Sequence, residues 1–294
     1  MSTMSEHAVL DKRAVRRSFD RAAATYDAAA VLQHEVSRRS LERLDFIRLQ
    51  PRRILDAGCG TGNAWRGLAS RYPGSRLIAL DLAPGMLRQA RAGVPWHLRL
   101  LRRLPAPVCG DLEHLPLKSG SMDLLWSNLA LQWTNALPQA FAEMRRVLAP
   151  GGLCMFTTFG PDTLKELRAA QAGTDSHVHG SGFIDMHDIG DLLVQAGFAD
   201  PVIDMELFTL TYDSVKAVMR DLQSIGAHNA ARDRPPGLSG KSWFAEVERN
   251  YEQWRRDDRL PATFEVIYGH AWCPQPRTGP GGRPVIEIRP AERT

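Results

Sequence analysis

The stretch Arg53–Trp65, RILDAGCGTGNAW, ends an apolar run in Asp56 and follows it with glycines at alternate positions, Gly58, Gly60 and Gly62. A short apolar run closed by glycines reads as a buried strand turning into a helix, here Asn63–Arg71. Glycines in such a turn let the backbone approach a ligand, and the following helix offers free N–H groups at its N-terminus. Dinucleotide sites use GxGxxG with an acid about 20 residues further on. Here the spacing is GxGxG, and the acid stands two residues before the first glycine. A carboxylate at that strand end would repel a pyrophosphate but suits a cationic ligand.

Outward from this turn the rhythm is regular. RLIALDL (Arg76–Leu82) reads as a second strand and Pro84–Ala92 as a helix. APVCGDLEHLPL gives a short strand ending near Asp111, and MDLLWSNLALQW a fourth strand running into a loop. A helix over Leu137–Leu148 stops at APGG, and LCMFTTF is a fifth strand. Strands alternating with helices imply an α/β fold, a parallel sheet covered on both faces, with ligands bound at the carboxyl edge of the strands. His7–Leu49 has helical spacing and no proline, so residues 1–50 are expected to form a helical cap on a domain spanning 51–272. Helices at Asp162–Gln171 and His187–Ala196, an apolar run Val202–Leu210 and a final strand in ATFEVIYGHAW complete that domain. The mostly helical 214–256 is expected to be a lid inserted between the last two strands. The Pro/Gly/Arg-rich 273–294 is expected to be a disordered tail.

With 44% hydrophobic and 24% charged residues, the 294-residue chain has an ordinary globular composition. No apolar run reaches the roughly 20 residues of a membrane span, and the first twenty residues lack the apolar core of a signal peptide. A cytoplasmic monomer that binds neither membrane nor nucleic acid is expected, since the net charge of +4 is not gathered in one block. The four scattered cysteines are expected to be reduced, buried thiols, with no metal site. One local cluster stands out, WHLRLLRRL (Trp96–Leu104). Its Arg99, Arg102 and Arg103 are either a solvated helix face or a dock for an acidic partner.

S-adenosylmethionine is cationic and carries no phosphate. The glycine turn and the acids after it resemble the motifs of class I S-adenosylmethionine-dependent methyltransferases, a Rossmann-like parallel sheet with an antiparallel last strand. The resemblance implies that Asp56, Gly58, Cys59, Gly60 and Gly62 contact the amino-acid part of the cofactor. Asp81, followed by Leu82, would take the ribose hydroxyls. Asp111 would meet the adenine amino group, with Leu112 on the ring.

The acceptor is constrained less directly. Helices before the sheet and an inserted lid imply an enclosed site rather than a nucleic-acid groove. SNLALQW follows the fourth strand in place of an NPPY-like tetrapeptide, which disfavours a planar amide or base nitrogen. An enclosed site without an obvious general base suits a nucleophile already ionised at pH 7, such as a carboxylate. SFDRAAATYDAAAVLQ (Ser18–Gln33), LDAGCGTG, DLLWSNLALQW (Asp123–Trp133) and SIGA (Ser224–Ala227) together resemble the malonyl-acyl carrier protein O-methyltransferases of biotin synthesis, from about residue 15 to 272. This implies methyl transfer to the carboxylate of a malonyl thioester on acyl carrier protein. Tyr26 would close over cofactor and carboxylate, and Gln33 and Asn128 would help hold the cofactor. Arg168 would pair with the carboxylate, and the Arg99–Arg103 cluster would dock the carrier. Trp133 is expected in the core. FGPDTLKELR, MHDIGDLLVQAGF and LPATFEVIYGHAW also resemble mitochondrial complex I assembly factors of the same superfamily, which hydroxylate a protein arginine. That alternative rests on the C-terminal half.

Overall fold

The computed structural model describes residues 9–94, 105–172, 174, 183–225 and 241–276. The apolar runs become seven strands: β1 (Arg53–Ala57), β2 (Arg76–Asp81), β3 (Ala106–Cys109), β4 (Met122–Asn128), β5 (Leu148–Phe159), β6 (Ala199–Tyr212) and β7 (Leu260–Trp272). They form one sheet in the order β3-β2-β1-β4-β5-β7-β6. β1 pairs in parallel with β2 and β4, whereas β7 runs antiparallel between β5 and β6. Right-handed crossovers bring the carboxyl ends of the parallel strands to one edge, and the strand order reverses beside β1. The expected α/β sheet with an antiparallel last strand is therefore the fold observed.

Helices cover both faces. Against one lie α6 (Leu137–Val147) and α8 (Met186–Gln195), whose Phe141, Met144, Ile189 and Leu193 pack on Leu125, Cys154 and Phe156. Against the other, α4 (Trp65–Arg71) sets Leu68 on Ile54, Leu124 and Trp126. Before β1 come α1 (Lys12–Ala22), α2 (Tyr26–Ala29) and α3 (Val31–Arg43). Asp11 caps α1, its carboxylate accepting from the amides of Arg13 and Ala14 at 2.9 and 3.2 Å. Pro84 opens α5 (Pro84–Ala92), where its missing N–H costs nothing. The remaining helices are α7 (Lys165–Gln171), α9 (Val215–Ser224) and α10 (Lys241–Tyr251), the last two lying between β6 and β7.

Three local expectations are corrected. APGG does end α6, but it belongs to β5, which begins at Leu148 and bends at Gly151 (φ 76°). α4 starts at Trp65, not Asn63, because the glycine loop continues as turns for two more residues. Cys59, Cys154 and Cys273 are buried free thiols, but Cys109 is exposed at the end of β3, the edge strand of the sheet.

Candidate active site

A cavity opens at the carboxyl edge of β1, β2 and β4, roofed by the N-terminal helices. Its wall includes Tyr26, Gln33, Gly58, Gly60, Asp81, Leu82, Asp111, Leu112 and Asn128, nine of the positions read from the sequence.

The glycine loop is shaped by steric need at two places. Gly58 (φ 79°) lies so close to the β4 loop that a Cβ would stand 2.3 Å from that of Ala130. Gly62 (φ 85°) lies on the Trp65 ring, where a Cβ would come within 2.8 Å. Both positions exclude a side chain by conformation and by space. The loop is tied down from below. The amides of Gly58 and Cys59 donate to the Leu80 carbonyl at 2.8 and 2.9 Å, and that of Gly60 to Asp81 Oδ2 at 2.9 Å. These three loop amides thus bind the end of β2.

Asp81 is a buried hub. Besides Gly60 it accepts from the Ala83 amide at 2.8 Å through Oδ1. Burial pushes its carboxyl up to about 6, against the pull of these amides. The Leu82 amide adds to this set, and a carboxylate's roughly four lone-pair sites still leave room for a hydroxyl donor. Asp111 accepts from Lys12 Nζ at 2.9 Å, and the same ammonium lies 2.7 Å from Glu113 Oε2. Glu113 is 8% exposed, and its other oxygen accepts from the amides of Asn135 and Ala136 before α6. Lys12 therefore fastens α1 across the loop between β3 and β4. The Asn135 side chain adds two bonds to the Leu10 backbone, at 2.7 and 3.2 Å.

Phe19, Tyr26 and Trp133 form an aromatic side to the cavity. Phe19 meets Trp133 edge-on at 5.1 Å between ring centroids and Tyr26 at 6.5 Å. Trp133 is thus a wall residue rather than part of the core. Burial, with Asp81 and Asp27 nearby, holds the Tyr26 phenol above its ordinary value, so it keeps its proton. Asn128 is fixed through both ends of its amide. Its Nδ2 donates to the Gln33 carbonyl at 3.1 Å, and its Oδ1 accepts from Thr157 Oγ1 at 2.9 Å. Among the described residues lining the cavity there is no histidine or cysteine.

Four predicted residues are not part of this wall. Asp56 lies beneath the loop, 2% exposed, accepting from Trp65 Nε1 at 3.0 Å. Burial raises its carboxyl to about 7, partly offset by the indole and reinforced by Asp81. Its carboxylate thus stands behind the glycine loop rather than on the cavity wall. The Cys59 side chain turns away to pack with Trp65, Ala79 and Leu87, leaving only backbone for the loop. Gly62 is the close-approach point for Trp65. Arg168 lies on α7, its guanidinium donating to the Pro161 carbonyl while Nε is buried without a partner. Arg99, Arg102 and Arg103, residues 226–240 of the expected lid and most of the expected tail lie outside the described residues. Sequence reading missed Lys12 and Phe19, whose partners Asp111 and Trp133 lie 99 positions away or more, and Trp65, whose indole is only nine residues from Asp56 and was near enough to suspect.

A family profile described as a methyltransferase domain matches residues 55–156, the segment from β1 into β5. The chain is 57% identical over 286 residues to the malonyl-[acyl-carrier protein] O-methyltransferase of Methylovorus sp. (strain MP688), covering 96% of each chain. The chain belongs to the malonyl-[acyl-carrier protein] O-methyltransferase family. Kinship with that family spans both halves of the sequence and so favours the first of the two resemblances. Among solved structures, the fold is shared with a putative methyltransferase from Bacillus halodurans C-125 (TM-score 0.56, 17% identity, 80% of this chain and 97% of that one). It is shared also with a phosphoethanolamine N-methyltransferase 2 of Haemonchus contortus in complex with S-adenosylhomocysteine (TM-score 0.55, 16% identity, 89% and 60%).

Proposed function

We propose that this member of the family uses S-adenosylmethionine to methylate the free carboxylate of a malonyl group carried as a thioester on acyl carrier protein. The observation that carries the reading is a cavity whose described lining sets acids toward one ligand and holds no histidine or cysteine to act as a base for the other. Asp81 and Asp111 line it, Asp56 lies beneath its floor, and Tyr26 in its wall is held protonated. Those acids suit the cofactor's cationic and hydroxyl-bearing parts. An acceptor that arrives ionised needs no proton removed, which a carboxylate satisfies at pH 7.

Bound in this cavity, the cofactor supplies an electrophilic methyl group on a sulfonium. In the assignment we favour, Asp81 receives the ribose hydroxyls and Asp111 the adenine amino group, with Leu112 against the ring. Gly58, Gly60, Gln33 and Asn128 border the amino-acid part. Tyr26 donates its O–H where cofactor and carboxylate meet, and with Phe19 and Trp133 excludes water. Displacement then neutralises both charged partners, so the residues contribute mainly alignment and desolvation. Arg168, with an unused N–H at its guanidinium, is the candidate partner for the malonyl carboxylate, and its α7 position requires the chain after Gly160 to bring it to the cavity rim. Arg99, Arg102 and Arg103 are the candidate dock for the acidic carrier. Residues 1–50 act as a cap and 214–256 as a lid, with a tail from 273. The ester formed masks the charge so that fatty-acid elongation can build a pimeloyl chain for biotin. A monomeric, cytoplasmic enzyme fits this reading.

Labelled S-adenosylmethionine offered with malonyl-acyl carrier protein, acetyl-acyl carrier protein and free malonate tests it. Label on the malonyl carrier alone, as a base-labile ester, is expected; label on the acetyl carrier, or on none of the three, overturns it.

A further inference from the structure

The loop after β4 holds a buried side-chain oxygen that finds no hydrogen-bond partner among the described residues. Gln132 lies in the turn Leu131–Trp133 and lines the cavity. Its Nε2 donates to the Leu129 carbonyl at 2.6 Å, while its Oε1 is buried without a hydrogen-bond partner. The orientation of the amide is fixed by that first bond, because exchanging the two atoms would set two acceptors 2.6 Å apart. A buried acceptor left unpaired is costly, and native folds seldom keep one without a use.

The turn is built to present this residue. Leu129 takes a left-handed backbone conformation (φ 48°), unusual for a leucine and a source of strain. Its amide is held by both the carbonyl and the hydroxyl of Thr157, at 3.1 and 2.9 Å. Thr157 also fixes Asn128, and Ala130 presses against Gly58, so the turn is braced from β5 and from the glycine loop. What this bracing holds in the cavity wall is a residue with a buried, unpaired acceptor.

An amide oxygen repels a carboxylate and calls for a donor. β4 lies three strands from β3 in the sheet, roughly 14 Å at the usual strand spacing. With adenine at Asp111 beyond β3 and ribose at Asp81 beyond β2, the amino-acid end of the cofactor reaches β1 and β4. We infer that Gln132 is a cofactor-orienting residue whose Oε1 accepts a hydrogen bond from the α-ammonium of S-adenosylmethionine. The inference rests on the cofactor assignment and is independent of the methyl acceptor.

Calorimetric titration of the purified chain with S-adenosylhomocysteine and with 5′-methylthioadenosine tests it, since the second ligand keeps adenine and ribose but lacks the amine. Gln132→Leu should weaken S-adenosylhomocysteine binding about 10-fold or more, the loss of a hydrogen bond to a charged group, and leave methylthioadenosine within about 2-fold. Gln132→Glu, which retains an acceptor and adds charge, should bind S-adenosylhomocysteine at least as well as wild type. An equal loss on both ligands would reduce Gln132 to a brace for its turn, and no loss on either would leave its oxygen without a ligand; each overturns the inference. Wild-type binding of both ligands is the separate check on the cofactor assignment.

Discussion

Two carboxyls at the heart of the site sit well above the ordinary carboxylate range, and cofactor binding should therefore expel protons. Burial brings Asp56 to about 7 and Asp81 to about 6. At pH 6.5 the pair then holds about one proton, and at pH 8 about a tenth of one. A sulfonium and an ammonium nearby favour the ionised carboxylates, as do hydroxyls donating to Asp81, so binding lowers both values. Calorimetry at pH 6.5 in buffers of different ionisation enthalpy should show release of close to one proton per S-adenosylmethionine, falling towards zero at pH 8. Affinity should rise with pH across this window and then level off. The neutral ligand 5′-methylthioadenosine reaches Asp81 but not the charge requirement of Asp56, and should release only about a quarter of a proton at pH 6.5. Proton uptake, or no exchange with S-adenosylmethionine at pH 6.5, would refute the argument that buried acids select the cation.

The same values fix the pH dependence of the empty protein. A carboxyl whose folded value exceeds its unfolded one binds more protons when folded, so its contribution to stability grows as pH falls from about 7 towards 4. The unliganded chain should melt higher at pH 5.5 than at pH 7.5 if these two groups dominate, and saturating cofactor should shrink the difference. A melting temperature that falls steadily on acidification, with and without cofactor, would place the controlling groups elsewhere.

Other substitutions probe single residues. Tyr26→Phe should lower turnover about 10- to 100-fold, the loss of one hydrogen bond to a charged group, with no new alkaline limb, because the phenol is held protonated. Lys12→Met leaves the nearly buried Glu113 without its cation, and should lower the melting temperature and weaken cofactor binding together; urea titration and calorimetry read both. Arg168→Gln should raise KM for malonyl-acyl carrier protein while sparing cofactor affinity, with Arg168→Lys restoring little; unchanged KM would remove Arg168 from the acceptor site.

The parts of this structure legible in the sequence are those written in local pattern. β2, α5 and β4 follow from apolar periodicity and from Pro84, and the glycine spacing locates the loop. Asp81 and Asp111 reach the cavity wall because each ends or follows a strand at the carboxyl edge of the sheet. What escaped is long in sequence. Lys12 meets Asp111 across 99 positions, and nothing in KRAVRRSF distinguishes that lysine from its basic neighbours. Asp56 was located but misdirected: the strand register carries it to the right edge, yet the indole of Trp65 claims its carboxylate. Trp133 was read as core because its apolar surroundings look the same in sequence whether a cavity lies on its far side or not. Arg168 has helical spacing on α7, but spacing does not reveal that Pro161 engages its guanidinium.

The attachments of the N-terminal helices explain how so enclosed a site can be loaded. Asp20 on α1 accepts from the Gly85 amide at 2.5 Å, Asp27 on α2 accepts from the Thr61 hydroxyl in the glycine loop, and Lys12 bridges to Asp111 and Glu113. Two of these contacts land on loops beside the cavity, and that of Asp20 on the first turn of α5. Most involve partly exposed charges, and such contacts contribute about 0–1 kcal/mol each. The apolar attachment of α1 is small, chiefly Leu10 and Val15 with Phe19, and Ala23 just after it against Ala83 and Met86, whereas α3 buries Leu32 and Val36 beside Leu129, Phe264 and Tyr268. α1 and α2, held mainly by weak polar contacts, can open while α3 and the sheet stay folded, because local opening follows the least-buried attachments. Asp111 sharpens the coupling. On the proposed assignment, an adenine amino group and Lys12 would approach the same carboxylate, which has lone pairs for both only when the ammonium keeps to one side. Filling the site would then set the geometry of the clasp, and the position of α1 and that of the cofactor would become one arrangement.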